Sequence, residues 1–407
     1  MKKIGIIGGG ASGLAAAVTA ARQKDTEVFI LEHKEQAGKK LLSTGNGRCN
    51  LTNERMDGSF FRSCEPDCIE AVLKQFGYED TVHFFEGLGL MLRSRNGYIY
   101  PRCEQASVVR ELLVREAKRL GVRIYTDVHV TEILPGRKGF KISGGRETFY
   151  ADRVILSCGG RAAKVLGSDG SGYALAKSLG HSLVPVVPAL VQLKVKDNPL
   201  KAAAGVRTEA LVSAYVDGKC AASDTGELQI TDYGISGIPV FQVSRYMAMA
   251  LYQKKKAEIV LDFLPSMAEE EFLESLMKRR SGREDMKTSE FLAGIFNNKL
   301  TSCLPLPAEI SVKRRVGELE REEQRRFVRQ CKHMVLPIQD TNGFDNAQVC
   351  AGGVSLREID RNTMESCYVE GLYLAGELLD ADGMCGGYNL QWAWATGVLA
   401  GRAAGRQ

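Results

Sequence analysis

Residues Lys3–Ala17 read KIGIIGGGASGLAAA, and the fold turns on what Gly8, Gly10 and Gly13 do in that stretch. Met1-Lys2-Lys3 followed by small and apolar residues superficially mimics a cleavable signal. A signal needs an unbroken apolar run, however, and here a glycine cluster interrupts it after Ile4, Ile6 and Ile7. The other reading demands more parts and finds each of them. Ile4–Ile7 reads as a short buried strand, G-x-G-x-x-G follows it directly, and Ser12–Arg22 reads as an alanine-rich helix. A second apolar strand, EVFILE, then ends in Glu32. This is the opening of a dinucleotide-binding fold. Gly8 permits the tight turn, Gly10 lets backbone approach phosphate, Gly13 lets helix and strand pack closely, and Glu32 stands where an acid takes ribose hydroxyls. The helix start adds unpaired N–H groups and a positive dipole end, worth about 0.3–1 kcal/mol toward an anion.

With 407 residues the chain is too long for one ordinary core, so two or three structural units are expected. A composition of 44% hydrophobic and 25% charged residues describes a globular protein, and no apolar run approaches the ~18 residues of a membrane span. A net charge of +5 is too small to argue for nucleic acid. The eleven cysteines form no C-x-x-C, and the five histidines no H-E-x-x-H, so no metal site is expected and a reducing cytoplasm suits the chain better than a disulfide framework.

Strand-like and helix-like segments alternate over residues 1–190, as in a nucleotide-binding α/β domain. From Val191 to Phe263 short strands take over, with an Asp-Gly turn in EALVSAYVDGKC. Helical spacing then appears in SMAEEEFLESLMKRR and TSEFLAGIFNNKL. The charged run Lys313–Lys332 interleaves acids with bases, including Glu322 and Arg326 four apart, and reads as a solvated helix face rather than a nucleic-acid stripe. The expected domains are therefore a split one from 1–190 and 336–407, a β-rich one from 191–263 and 308–335, and a helical subdomain at 264–307.

The C-terminal stretch GLYLAGELLDADGMCGGYNLQWAWATGVLAG (Gly371–Gly401) repeats the grammar of the N-terminus: a strand, Gly376 in a turn, then Gly386-Gly387 opening a helix. Two helix starts aimed at one ligand imply a long ligand. FAD fits better than NAD, because no second G-x-G-x-x-G exists for a separate nicotinamide-binding fold.

Five stretches together resemble the flavoprotein family that includes aminoacetone oxidase and the BaiN-type bile-acid enone reductases. They are GKKLLSTGNGRCNLTN (Gly38–Asn53), GSDGSGYALAKSLGH (Gly167–His181), GELQITDYGISGIPV (Gly226–Val240), AGGV (Ala351–Val354) and the C-terminal segment from TMES onward. The resemblance implies an α/β fold: a Rossmann-like, glutathione-reductase-like FAD-binding domain with an inserted antiparallel β-rich domain and a small helical subdomain. It implies the FAD pyrophosphate at Gly8, Gly10, Ala11, Ser12 and Gly13, and the ribose at Glu32. Lys40, Asn46, Gly47, Arg48, Cys49 and Asn50 match the loop beside the flavin, and Gly376, Glu377, Gly387, Tyr388, Asn389, Leu390 and Gln391 match the C-terminal flavin motif. Val130 matches a backbone contact to adenine. Where the family commonly reads ATGG and SYPxxGSTGDG, this chain has Ser157-Cys158-Gly159-Gly160 and RAAKVLGSDGSG, so the loop Arg161–Leu166 lacks the Tyr-Pro pair.

The activity so implied is an FAD-dependent oxidoreductase whose flavin is reduced by NAD(P)H and passes hydride to a conjugated enone, with an apolar small molecule of 3-oxo-4,6-dehydro bile-acid or steroid type as substrate. An amine oxidase using O2 and a non-enzymatic flavin-binding or RNA-associated protein are the alternatives. Catalytic candidates are Arg48, for charge on reduced flavin or a substrate carbonyl, and Tyr233 and Tyr388 as proton donors. Cys49 reads as a packed residue rather than half of a redox pair.

Overall fold

The computed structural model describes residues 1–145 and 147–406. They divide into two compact units, residues 1–186 with 348 onward, and residues 187–347.

The first unit is built on five parallel strands: β1 (Lys2–Ile7), β2 (Thr26–Leu31), β3 (Arg123–Tyr125), β4 (Arg153–Leu156) and β5 (Leu372–Leu374), in the order β5-β4-β1-β2-β3. The centre of this sheet is apolar on both faces: Ile6 of β1, Ile30 of β2 and Ile155 of β4 are buried on one, and Phe29 and Leu31 of β2 with Val154 and Leu156 of β4 on the other, as parallel strands covered on both sides require. Strand β5 arrives from the far end of the chain and pairs with β4 at Val154↔Leu372 and Leu156↔Leu374. The helix after β1, α1 (Ala11–Ala21), is nearly all alanine and glycine on its inner side, which lets the C-terminal helix Tyr388–Gly405 lie almost in backbone contact with it. A Cβ on Gly397 would fall 2.4 Å from the Ser12 carbonyl oxygen, and one on Gly401 2.5 Å from that of Ala16. The two helix starts are thereby set in a fixed relation. An antiparallel meander (Val130–Gly136, Gly139–Gly144, Glu147–Ala151) and a small sheet of Thr52–Asn53, Tyr98–Pro101 and Leu92–Arg95 complete the unit.

The second unit is a closed antiparallel barrel of six strands in the order Leu193–Val195, Gly234–Ser236, Lys219–Ile230, Arg207–Val216, Ala257–Asp262, Met334–Thr341. Alternation fills its interior: Ala210, Val212 and Ala214 are buried while their neighbours along the strand are partly exposed or at the surface. The long hairpin turns at Asp217 and Gly218, whose φ of 48° and 78° are the pair of positive values that a tight Asp-Gly turn takes. The stretch 308–335, expected with the β-rich domain, is helical at Arg321–Lys332, because Gln324, Phe327, Val328 and Cys331 recur at helical spacing and are buried together. Its charges are largely answered locally: Arg314 bonds Glu323 at 2.5 Å, and Lys332 bonds Asp262 at 2.7 Å. The helices at 269–332 also share one apolar core with the barrel, through Phe272, Phe291 and Phe327. Because Met334–Thr341 closes the barrel, the chain returns to the first unit at Gln348 rather than at 336.

Candidate functional site

Strand β1 delivers the chain into Gly8, at φ 97°, where a Cβ would lie 2.5 Å from the Ser157 carbonyl oxygen. Gly13 is tighter: a Cβ there would fall 2.0 Å from the Gly8 carbonyl oxygen. Gly10 differs from both. Nothing lies within 4 Å of its would-be Cβ, and as N-cap of α1 it brings no capping side chain, so the helix N–H groups at Ala11 and Ser12 face open space. The last residue beyond β2, Glu32, is buried with its carboxylate held from two sides: Oε2 accepts from Gly9 N at 2.8 Å and Oε1 from Lys34 N at 2.8 Å. Each oxygen keeps a lone pair for a further donor. Val128 N donates to the Glu32 backbone carbonyl, which ties the segment leading to buried Val130 to the residue after β2.

The second half of the site is assembled across the length of the chain. Lys40 Nζ donates to Glu377 Oε2 at 2.9 Å and to the Ala162 carbonyl at 3.2 Å, while Glu377 Oε1 accepts from Cys350 N at 3.0 Å. Gly376, at φ 76°, bonds Thr396 Oγ1 through its N–H and receives Trp392 Nε1 on its carbonyl. The loop Asn46–Asn50 bends through positive φ at Asn46, Gly47 and Cys49. It leaves Asn46, Gly47 and Arg48 exposed, buries Cys49 completely, and brings Asn50 Oδ1 to within 3.0 Å of where a Gly387 Cβ would be. Burial pushes the Cys49 thiol up to about 12, so it is a packing group with no thiolate at neutral pH.

Gly386 and Gly387 open the C-terminal helix without a side-chain cap. Tyr388 follows, buried and stacked on Phe60 at 4.7 Å with the rings 8° from parallel. Burial above all, then Tyr98, raises its phenol to about 12. Asn389 and Gln391 have side chains turned to the protein. Asn389 bonds both the N–H and the carbonyl of Gly383, and Gln391 accepts from Thr52 and Thr81 hydroxyls and donates to the Phe76 and Gly77 carbonyls. Leu390 is half-buried against the core. From Asn389 to Gln391, what remains for a ligand is backbone. Tyr233 lies in the second unit, on a barrel turn where its carbonyl accepts from Val195 N, and is not among the residues that the first unit gathers.

Residue patterns had not pointed to three participants. Ser157 Oγ bonds the Gly8 carbonyl at 2.8 Å; Cys350 supports Glu377; Thr81 holds Gln391. Ser157 was signalled only by its place directly after β4. A fourth group, His181, links both halves of the first unit: Nδ1 pairs with Glu358 Oε2 at 3.0 Å and Nε2 with Ser366 Oγ at 2.9 Å. Burial drives the His181 imidazole below its usual range against the pull of Glu358. Burial works to raise Glu358, but hydrogen bonds from Ser182 and His181 outweigh it and the carboxyl sits low. A depressed histidine pKa means that the folded state binds fewer protons than the unfolded one. Stability from His181 is therefore complete above about pH 6.5 and is lost as pH falls below it, with Glu358 adding a further loss below about 4.3. Melting temperature is expected to drop from pH 7 to pH 5, and His181→Asn to flatten that slope.

These residues fit a bound dinucleotide. Space at Gly10, free lone pairs on Glu32 and the buried, unpartnered Oδ1 of Asn50 beside the second helix start are all unused by the protein itself. Among the described residues no cluster of three His, Cys, Asp or Glu side chains is arranged to hold a metal ion, and no helix is long and apolar enough to cross a membrane.

Comparison with known proteins covers the whole chain. The family described as HI0933-like protein Rossmann domain matches residues 2–403. The chain is 56% identical over 405 residues, 99% of each protein, to a 3-dehydro-bile acid delta(4,6)-reductase of Clostridium scindens. It is 27% identical over 410 residues, 99% of this chain and 98% of the relative, to a ribosomal RNA dihydrouridine synthase of Haemophilus influenzae. Among solved structures, a 3-ketosteroid-delta4-(5alpha)-dehydrogenase from Rhodococcus jostii aligns over 100% of this chain and 97% of its own, at 16% identity and a TM-score of 0.49.

Proposed function

The chain belongs to the HI0933-like Rossmann-domain family, and from that premise we propose that this FAD-dependent oxidoreductase reduces a conjugated carbon–carbon double bond of a 3-oxo-4,6-dehydro bile-acid or steroid-type acceptor, with NAD(P)H as electron donor. The observation that carries the reading is the 56% identity to the bile-acid reductase over 99% of both chains. The more distant relative supports the reaction class, since making dihydrouridine also saturates a carbon–carbon double bond conjugated with a carbonyl. Overall, NAD(P)H and a proton convert C=C to CH–CH and release NAD(P)+. In this reading the first unit, residues 1–186 and 348 onward, holds the cofactor.

Bound FAD supplies two-electron hydride chemistry at its ring. The N–H groups of Ala11 and Ser12 would hold its pyrophosphate, with Gly10 giving backbone-level approach, and Glu32 would accept the ribose hydroxyls. The start of the C-terminal helix presents N–H donors to an electron-rich edge, and Asn50 Oδ1 stands ready to accept. The Lys40–Glu377 pair fastens the loop at Ala162 to the C-terminal motif and so holds the two together beside the cofactor. Tyr388, with its phenol near 12, keeps its proton on Oη at neutral pH and is the residue of this group suited to donate one.

Anaerobic mixing tests the reading. NADH or NADPH is expected to bleach the visible absorbance of the purified yellow protein, and a 3-oxo-4,6-diene acid to restore it within a turnover. Bleaching by a primary amine instead, with peroxide formed in air, would establish the oxidase.

A further inference from the structure

The small sheet of the first unit has one face that the cofactor site leaves unused. In it Arg95 lies opposite Tyr98, Arg93 opposite Tyr100, and Asn53 opposite Tyr98. Residues directly opposite in antiparallel strands share a face, as do alternate residues along a strand. One face therefore carries Arg93, Arg95, Tyr98 and Tyr100. The other carries Thr52 and Ile99, both buried in the core. Arg93 is spent on Glu104, but Arg95 is exposed, and so is Tyr98 at 38%.

Arg48 reaches the same place from its loop. It and Arg95 are the two cations whose charge acts on the Tyr100 hydroxyl, opposing the burial that raises that phenol. Neither guanidinium enters a salt bridge among the described residues. This face also begins where the C-terminal helix does. The Tyr98 ring lies 3.1 Å from the would-be Cβ of Gly386, Asn53 Nδ2 donates to the Gly386 carbonyl at 3.0 Å, and the Tyr100 ring is 3.7 Å from the would-be Cβ of Gly45.

Two guanidinium groups outside any salt bridge, beside the exposed Tyr98 ring and the half-buried Tyr100 ring, match a single oxyanion carried on a flat, apolar body. The geometry points to this face as the recognition site for the acidic end of the acceptor, a carboxylate on the hydrocarbon frame of the enone, an inference that rests on the reductase reading above. Arg95, and Arg48 with it, holds the carboxylate, and the Tyr98 ring lies along the frame. A nucleotide donor is the poorer occupant. Its pyrophosphate calls for a glycine-rich helix start, and the chain's G-x-G-x-x-G is already committed at Gly8–Gly13.

Steady-state kinetics with a 3-oxo-4,6-diene acid and its methyl ester, on wild type, Arg95→Gln and Arg95→Lys, tests this. The wild type is expected to prefer the acid. Arg95→Gln is expected to lose about tenfold in kcat/KM for the acid, mainly through KM, with flavin content and melting temperature unchanged, so that the preference for acid over ester collapses. Arg95→Lys should recover part of it. Equal turnover of acid and ester by the wild type would overturn the inference, as would an equal loss on both in Arg95→Gln. A loss confined to the KM for NADPH would overturn it in favour of a nucleotide phosphate. Should the wild type reduce neither compound, the reductase reading fails by itself. Calorimetric binding of the saturated acid and its ester then decides the anion site separately: tighter binding of the acid that Arg95→Gln abolishes supports it, and equal affinities refute it.

Discussion

Gly13→Val protein is expected to emerge from purification without flavin absorbance. The first atom of any side chain at residue 13 would sit 2.0 Å from the Gly8 carbonyl oxygen and 2.7 Å from Ser157 Oγ. Neither can give way cheaply, since one is backbone of the turn and the other bonds that same carbonyl. The first turn of α1 must therefore lift off β1, carrying the N–H groups of Ala11 and Ser12 out of line. A loss of 100-fold or more in FAD affinity is expected, with a lowered melting temperature of the apoprotein. Gly10→Ala provides the contrast. Its Cβ meets no protein atom within 4 Å, so the apoprotein should melt as the wild type does while FAD binding falls, because the added methyl occupies space meant for phosphate. Calorimetric FAD titration beside apoprotein melting separates the two. Normal FAD affinity in Gly10→Ala would show that the pyrophosphate lies elsewhere.

Gln391→Leu is expected to cost about 3–5 kcal/mol of stability whether or not FAD is present. The side chain is completely buried and makes four hydrogen bonds that draw residues 52, 76, 77 and 81 onto the C-terminal helix. Leucine fills the volume but leaves the Phe76 and Gly77 carbonyls without their donor in a dry interior. Urea unfolding of apoprotein measures it. If apoprotein stability were unchanged and only the FAD dissociation constant rose, Gln391 would be a cofactor contact, as its motif implies.

The contrast between these two residues shows where residue patterns carry information. The β1–glycine turn–α1–β2–Glu32 unit is local, and each of its parts has a demand that neighbours in sequence meet, so both its fold and its chemistry are legible. The strand at Leu372–Leu374 is legible too, because it and the glycines after it repeat that local grammar. Gln391 is not, since its partners are set by how the segment 52–81 packs, and no spacing in the chain encodes that. The same holds for the contact between Lys40 and Glu377, which stand in two separate motifs with nothing in the spacing that makes them meet. In the second unit, alternation reveals strands and the Asp217-Gly218 turn reveals one hairpin, whereas closure into a barrel depends on strand partners far apart in the chain, such as Met334–Thr341 against Leu193–Val195. The helix at Arg321–Lys332 is legible in its charged run as a solvated face, whereas its four buried residues, which dock it on the helical part of the second unit's core, are not.

The pairing of β4 with β5 has a consequence for biosynthesis. More than two hundred residues separate Leu156 from Leu372, so on the ribosome the outer edge of β4 stays open while the whole inserted unit is made. At about 5–20 residues per second that interval is roughly 10–40 s, during which an apolar strand offers unpaired amides to any passing chain. Yield in a foreign host is therefore expected to respond to chaperone supply during translation, whereas adding flavin to the growth medium does not shorten the wait.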